Sequence, residues 1–433
     1  MNGEHKPLAR RVVEGVAVFG LLLGVAWWMF GRTLDVRPLG GDNLYVLSWV
    51  HRAPAAELVR LDPIIYPEWR PLAFATVWLQ YRWQRLDYLA PYHAFNIVLW
   101  TACVWLVYQI VVRITSSRVA ALIVAGLVLT DVRAITAQTL IIERQTTLAA
   151  LFGLSAIWLV LRDRGTPWPA WKIATVGVLC LAGALSKEYG LAFPAGIAAY
   201  ALLERRRDWF WAAASGVAVY AIGRWVFAGG ATALYCEYMG YFFEVRKVCY
   251  DGVTTTSAAQ MSYNVVATGV GTILPGVLTP VGQLAIAPMR LAVSAGLLAI
   301  GVVGWLRGPK QLRLALLVAL GNTVLNFMVY GGRNQLMAVC TLGMVLGVGL
   351  ATIDRMLRAR SLGVARAAGV ALLGAIICVQ AQRTRVEAAQ QVADLLGQDP
   401  CLEIARTEQH DPAFIRLVKR TYGMSDPDCA SPR

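Results

Sequence analysis

The sequence predicts an all-α integral membrane protein. Of its 433 residues, 57% are hydrophobic and only 15% are charged, and its mean hydropathy is +0.54, which lies far above ordinary soluble domains. Apolar runs of about 16–25 residues recur along the chain, the length a helix needs to cross a bilayer core. Many of the 15 Trp and 16 Tyr residues flank these runs, as expected of aromatic belts at the headgroup level.

Taken in order, the apolar runs predict about eleven transmembrane helices. The first run is too long for a signal-peptide core and no small-residue cleavage site follows it, so we expect a retained helix. A Gly-rich stretch at 264–280 is interpreted as interfacial or re-entrant, because a full span there would reverse the charge alternation described below. The predicted spans lie near 12–31, 91–112, 119–134, 146–161, 173–186, 190–203, 209–227, 284–306, 312–330, 335–353 and 364–380.

The distribution of positive charge predicts the orientation. Lys6, Arg10 and Arg11 precede the first run, which favours a cytoplasmic N-terminus. Alternate connections are also basic, and an odd number of spans then sends the C-terminus to the periplasm of a bacterial inner membrane. The net charge of +14 is spread between apolar segments, so no nucleic-acid partner is expected. The basic connections carry Arg113/Arg118, Arg162/Arg164/Lys172, Arg205/Arg206/Arg207, Arg307/Lys310/Arg313 and Arg355/Arg358/Arg360.

The opposite, outer face is predicted to carry the function. It has a long first loop (32–90) rich in Trp, Tyr and Pro, where we expect interfacial helices, and a middle loop (228–283). We divide the chain into a transmembrane domain, 1–380, and a small extracytoplasmic region, 381–433.

The eight cysteines are consistent with this topology. Cys103, Cys180, Cys340 and Cys378 lie in apolar spans, where a free cysteine behaves as a small hydrophobe. The other four share two outer segments and could form disulfides in an oxidising compartment or stay free thiols, because connectivity cannot be read from sequence. They are Cys236 and Cys249 in the middle loop, and Cys401 and Cys429 in the C-terminal region.

Polar residues collect at the predicted outer ends of the helices. Each has a purely structural alternative. A lone Arg or Lys at a helix end often extends its side chain to the lipid headgroups. A His or Asn can join helices by hydrogen bonds, and adjacent opposite charges can form local ion pairs. However, the positive-inside rule predicts few cations in short outer hairpins. The residues concerned are Asp35, Asp42, Tyr66, Glu68, Arg70, His93, Asn96, Glu143, Arg144, Lys187, Glu188, Arg224, Arg290 and Arg333.

Cations in the outer hairpins predict that an anion binds at the outer face of the transmembrane domain. A lipid phosphate is the simplest such anion. Arg and Lys that hold a polyprenyl phosphate would also stabilise it as a leaving group. A carboxylate facing the same cavity can take the proton of an acceptor hydroxyl. Asp42 in GGDNLYV is the first candidate for this base, and Asp35 is the second.

The order of these motifs resembles the GT-C superfamily of polytopic glycosyltransferases, and within it the TPR-repeat O-mannosyltransferases and their bacterial relatives. The resemblance covers roughly residues 12–353. It rests on GGDNLYV after the first helix, YPEWRPL at the end of the first loop, YHAFN, ERQTTLAALFGL, LSKE and GGRNQLM. Three features depart from the family: Gly41 replaces the first acid of its pair, Asn334 replaces an aromatic residue, and 381–433 is too short for a TPR solenoid.

The resemblance implies an inverting transfer from a polyprenyl-phosphate sugar to the hydroxyl of a protein, such as a pilin, or of an envelope glycan. Asp42 would be the base, with Asp35 or Glu68 as alternatives. Arg333, Lys187, Arg144 and Arg224 would bind the donor phosphate, while Arg70, Tyr66, His93, Asn96, Glu143 and Glu188 would shape the site.

No metal or other cofactor is expected for this reaction, since Arg and Lys can neutralise a monophosphate. A transporter or flippase for a lipid-linked sugar is the main alternative. However, transporters usually place ionisable residues near the midplane and often have repeated halves. A structural subunit of an envelope complex is a third reading, and it leaves the outer acids without a role.

Overall fold

A computed structural model describes residues 8–35, 42–59, 69–85, 90–162, 167–227, 311–326, 336–397 and 412–422, with single positions at 299, 303, 306 and 309. These residues form helices and contain no strand. The helices are α1 (Leu8–Phe30), α2 (Asp42–Arg52), α3 (Pro71–Gln84), α4 (Ala90–Thr115), α5 (Arg118–Leu129), α6 (Ala134–Thr139), α7 (Arg144–Leu161), α8 (Ala170–Ser186), α9 (Ala192–Leu203), α10 (Arg207–Phe227), α11 (Leu312–Asn326), α12 (Leu336–Ala359), α13 (Gly363–Gly397) and α14 (Pro412–Tyr422).

The chain is a multi-pass membrane protein. Within its described part, six helices are long and apolar enough to cross a bilayer: Val12–Asp35, Ala90–Thr115, Arg144–Leu161, Arg207–Phe227, Val339–Ala359 and Gly363–Leu395. Three shorter apolar helices, Arg118–Leu129, Ala170–Ser186 and Glu188–Leu203, pack beside them. The predicted span 284–306, apart from isolated positions, and the stretch 264–280 lie outside the described residues, so the number eleven stays a prediction.

Small residues let the helices approach closely. A Cβ on Gly216 of α10 would lie 2.6 Å from the carbonyl oxygen of Gly177 in α8, and one on Gly347 of α12 would lie 2.6 Å from Val111 of α4. Because association within a bilayer depends on packing rather than on the expulsion of water, glycines at crossings are typical of membrane bundles. The central helix α4 contacts α1, α5, α7 and α12, and its Trp100 is fully buried.

The third predicted span ends earlier than the sequence suggested. We predicted 119–134, but α5 ends at Leu129. Thr130 donates a hydrogen bond to the carbonyl oxygen of Gly126 at 2.9 Å, and the Asp131 carboxylate accepts one from the backbone N–H of Arg133 at 2.9 Å. Such side-chain bonds to the backbone compete with helix continuation. The short helix α6 then lies where we expected only a tight hairpin.

The segment predicted as the first outer loop (32–90) contains the helices α2 and α3, and helix α14 packs on them. Phe414, Ile415 and Val418 of α14 are buried in a cluster with Leu44 of α2 and Val77 of α3. Helix α13 continues to Gly397, past the predicted domain boundary at 380/381. The division into two domains is therefore still a prediction.

Candidate active site

A buried ion pair joins the segment before α3 to the turn between α8 and α9. Arg70 immediately precedes α3, and Pro71 takes the first helical position, where its missing N–H costs nothing. The Arg70 guanidinium donates to both carboxylate oxygens of Glu188, at 2.8 and 2.5 Å, and to Oε1 of Gln145 at 2.8 Å. Such two-point contacts fix orientation as well as charge. Three separate segments of the chain are thereby held together.

A second buried group lies beside the first. The Lys187 ammonium donates to Oγ1 of Thr146 at 2.8 Å and lies 3.6 Å from the Glu143 carboxylate. Thr146 in turn donates to that carboxylate at 2.9 Å. Lys187 directly follows α8 and Glu143 directly precedes α7. The group therefore closes the ends of two neighbouring helices.

Arg144 is fully buried and bridges α3, α4 and α7. Its guanidinium donates to the side-chain oxygens of Asn96 and Gln80, at 3.2 and 2.8 Å, and to the carbonyl oxygen of Tyr92 at 3.2 Å. It also lies 4.9 Å from the ring centroid of Phe95. No carboxylate of the described residues contacts it. These contacts favour a role for Arg144 in holding the helix ends together.

His93 and Asn96 fix α4 against α6. The His93 Nδ1–H donates to the carbonyl oxygen of Gln138 at 2.9 Å, since a carbonyl can only accept. Asn96 donates to the carbonyl oxygens of Ala137 and Leu140, at 3.2 and 3.1 Å. Both side chains are fully buried. Their acceptors are therefore backbone carbonyls in the last turn of α6 and in Leu140, the residue that follows it.

Arg224 lies near the first ion pair. It belongs to the last turn of α10 and donates to the Tyr220 hydroxyl at 3.3 Å. The Tyr220 ring lies 5.4 Å from that of Trp69, the residue before Arg70. The ends of α8 and α10 and the start of α3 thus meet in one region.

The start of α2 is attached to the same region. Asp42 is the first residue of this helix, and the next residue, Asn43, accepts a hydrogen bond from the backbone N–H of Ile141 at 2.7 Å. Ile141 lies two positions before Glu143. The predicted base is therefore carried by a helix whose first turn is bonded to the turn between α6 and α7. Asp35, the alternative, is exposed at the end of the short turn after α1.

Electrostatics distinguish Glu188 from a catalytic base. Glu188 lies in the turn between α8 and α9, outside the six candidate spans. Burial alone would raise the pKa of its carboxyl, but the charge and hydrogen bonds of Arg70, with Lys187 nearby, lower that pKa to about 2. Both oxygens already accept from Arg70. Glu188 is therefore an ionised anchor that has little capacity to take up a proton.

Several predicted site residues lie outside the described part of the chain. They are Tyr66, Glu68, Arg290, Arg333, Cys236, Cys249, Cys401 and Cys429. Cys103, Cys180, Cys340 and Cys378 are described and are free thiols. Where side chains are described, no group of three or more His, Cys, Asp or Glu is placed to hold a metal ion. The expectation of metal-independent chemistry is untested.

Several members of the buried groups are not among the residues predicted from the sequence. Gln145 and Thr146 follow Arg144 in ERQTT, where two polar residues at the head of an apolar helix were the available signal. Gln80 and Asn43 had no comparable signal, because only the tertiary contacts bring them near Arg144 and Ile141.

No family profile and no curated protein sequence matches this chain, but its architecture is similar to solved structures. Archaeal oligosaccharyltransferase AglB from Archaeoglobus fulgidus, in complex with an inhibitory peptide and a dolichol-phosphate, is 13% identical with a TM-score of 0.58, over 98% of this chain and 61% of that one. The chain has the GT-C fold.

Two further structures of the Archaeoglobus fulgidus oligosaccharyltransferase share this GT-C fold. The apo form is 14% identical with a TM-score of 0.55, over 97% of this chain and 61% of that one. A form tethered to an acceptor peptide containing the NVT sequon is 13% identical with a TM-score of 0.53, over 95% of this chain and 59% of that one. This chain thus spans about three fifths of their length. The narrower resemblance to TPR-repeat O-mannosyltransferases is not supported by these comparisons.

Proposed function

We propose that this protein is a glycosyltransferase that moves a sugar from a polyprenyl-phosphate-linked donor to an acceptor hydroxyl. The transfer takes place at the periplasmic face of the inner membrane. The observation that carries the proposal is the buried set of ion pairs at one end of a GT-C fold. The turn before Glu143 is bonded to the helix that begins with Asp42. Similar structures were solved with a dolichol-phosphate and with an acceptor peptide, which supports a lipid-linked donor. A protein or an envelope glycan is the proposed acceptor.

The proposed reaction is an inverting displacement. The acceptor hydroxyl oxygen forms a bond to the anomeric carbon, while the bond from that carbon to the phosphate oxygen breaks and the phosphate keeps the electron pair. The Asp42 carboxylate takes the hydroxyl proton, a role that typically contributes about 10²–10⁴-fold to the rate. The proposed catalytic face is periplasmic.

Cations are assigned two roles in this proposal. Lys187 and Arg144 are buried and bonded to protein acceptors, so we assign them to positioning the helix ends. Arg224, in the last turn of α10, and Arg333, which precedes α12, are the proposed phosphate ligands. Fixed cations there would stabilise the charge that develops on the leaving phosphate.

The test is transfer by the purified full-length protein with a panel of polyprenyl-phosphate sugars and candidate acceptors. We expect Asp42→Asn to lower product formation at least about 100-fold, whereas the matched variant Asp35→Asn stays within about twofold of wild type. The configuration of the product is read by NMR. Transfer that survives Asp42→Asn, or movement of the donor across liposomes with no transfer product, would overturn the proposal.

A further inference from the structure

A second polar cluster lies at the opposite end of the helices that carry the candidate site. Trp168 and Pro169 precede α8, whose far end reaches Lys187 after 17 residues, or about 25 Å at 1.5 Å per residue. Helix α10 begins nearby at Arg207. The cluster therefore belongs to the face predicted as cytoplasmic.

Two indole N–H groups in this cluster are buried and find no hydrogen-bond acceptor among the described residues. Trp168 and Trp209 are 6% and 7% exposed, their rings lie 6.0 Å apart, and neither Nε1 has a hydrogen-bond partner within the described part of the chain. Tyr200 stacks on Trp209 at 5.6 Å and fixes its plane. An indole N–H can only donate, and buried ones normally find an acceptor. Two orphaned donors side by side therefore point to a ligand that accepts hydrogen bonds.

Positive charge surrounds these donors. The Lys172 ammonium lies 6.0 Å from the Trp168 ring and 5.9 Å from the Trp171 ring, and no carboxylate of the described residues contacts it. Its position in the first turn of α8 adds the positive end of the helix dipole. Arg206 lies 4.5 Å from the Trp209 ring.

The Asp208 carboxylate in this cluster is already neutralised. Asp208 accepts from Arg206 at 3.0 and 2.7 Å and from the backbone N–H of Trp168 at 3.2 Å. Its charge therefore orders the turn before α8, whereas Lys172 has no carboxylate partner among the described residues. A ligand that completes the cluster must be anionic and must accept hydrogen bonds, which describes a phosphate group.

We propose that this cluster binds the phosphate of an anionic phospholipid through Lys172 and the indole N–H groups of Trp168 and Trp209. The surrounding side chains decide between a lipid and a free phosphate. Trp171, Trp211, Leu202 and Leu203 are 62%, 63%, 66% and 58% exposed, and such apolar residues suit acyl chains beside a headgroup. Basic pockets between helices on the cytoplasmic side commonly hold anionic headgroups. The site is independent of the transfer reaction.

Native mass spectrometry of the full-length protein in detergent tests this site. The protein is titrated with phosphatidylglycerol or with phosphatidylcholine of the same acyl chains. We expect wild type to bind one phosphatidylglycerol with about tenfold preference. Lys172→Gln should lower that preference about fivefold, because one surface cation contributes about that much to the binding of an anionic lipid. The double variant Trp168→Phe/Trp209→Phe removes the two donors while keeping the rings, and it should also lose preference.

Arg360→Gln is the matched control, because it removes one charge from an exposed connection on the same predicted face. It should bind like wild type. Equal affinity of the wild-type protein for the two lipids would overturn the proposed site. So would a loss of preference in Arg360→Gln as large as in Lys172→Gln, because binding would then depend only on diffuse surface charge. In a third titration, inorganic phosphate competes with the bound lipid. If phosphate displaces the lipid at low millimolar concentration, the assignment of the site to a lipid is wrong. Lys172 is partly exposed, so that variant remains informative if the tryptophan variant does not fold.

Discussion

At the scale of single residues, the candidate site is held together by charges that pair between segments distant in sequence. In the sequence, Glu143 adjoins Arg144 and Lys187 adjoins Glu188, and local ion pairs within each couple are one expectation. The hydrogen bonds instead run from Arg70 to Glu188 and from Lys187 to Thr146 beside Glu143. The residue types and their location at helix ends follow from the sequence, but the choice of partner depends on how the helix ends meet in space.

The burial of the Arg70–Glu188 pair gives a stability prediction. Arg70→Met or Glu188→Gln should each lower the free energy of unfolding by about 3–5 kcal/mol, because each removes one member of a buried two-point ion pair. The double variant should cost less than the two single variants added together. Thermal unfolding of the protein in detergent measures the four states of this cycle.

The Glu14–Arg118 pair provides the control for that cycle, since its side chains are 29% and 48% exposed. Glu14→Gln should cost less than about 1 kcal/mol. The role assigned to the buried pair would be contradicted if breaking either pair lowered the free energy of unfolding by the same amount. It would also be contradicted if the losses from Arg70→Met and Glu188→Gln simply added up in the double variant.

At the scale of the elements, apolar runs predict which segments are helical better than they predict where each helix ends. The predicted span 209–227 corresponds to α10 at Arg207–Phe227, whereas the predicted span 119–134 ends at Leu129 in α5. Hydropathy reports the bilayer environment, but Asp131 and Thr130 end α5 through local side-chain bonds. The short helix α6 is too polar to be recognised as an apolar run. Nevertheless, its last turn and the residue after it supply the carbonyls that accept hydrogen bonds from His93 and Asn96.

The crossing of α8 and α10 makes an element-scale prediction. Gly216→Ala places a Cβ 2.6 Å from the Gly177 carbonyl oxygen and 2.9 Å from the Cys180 Cβ. Since backbone must move, we expect a loss of about 1–3 kcal/mol, seen as a lower unfolding temperature. Gly374→Ala in α13 is the control, because nothing lies within 4 Å of its added Cβ, and alanine should be neutral or stabilise the helix by up to about 1 kcal/mol. Equal stability of the two variants would argue against close packing at this crossing.

At the scale of the whole molecule, α13 connects the membrane bundle to the region beyond it. Its 35 residues extend for about 52 Å, well beyond the roughly 30 Å of a bilayer core. Its first half exposes apolar side chains such as Val364 and Leu372, while its second half carries Arg383, Arg385 and Glu387. Thr384 donates to the carbonyl oxygen of Thr130 at 2.6 Å, and Arg385 lies 4.7 Å from the Trp28 ring. These contacts hold the polar half of α13 against the C-terminal ends of α1 and α5.

This geometry leads to a topology prediction. Cysteines introduced at Ser361 and Ala389, both exposed positions on either side of the apolar half of α13, should lie on opposite faces of the membrane. With a membrane-impermeant maleimide on intact cells, we expect Ala389→Cys to be labelled and Ser361→Cys to be labelled only after permeabilisation, with the unsubstituted chain giving the background of native thiols. The reverse pattern would invert the orientation that the basic connections predict. Labelling of both positions in intact cells would mean that α13 does not cross the bilayer, and the candidate site could not then be assigned to the outer face from the charge pattern.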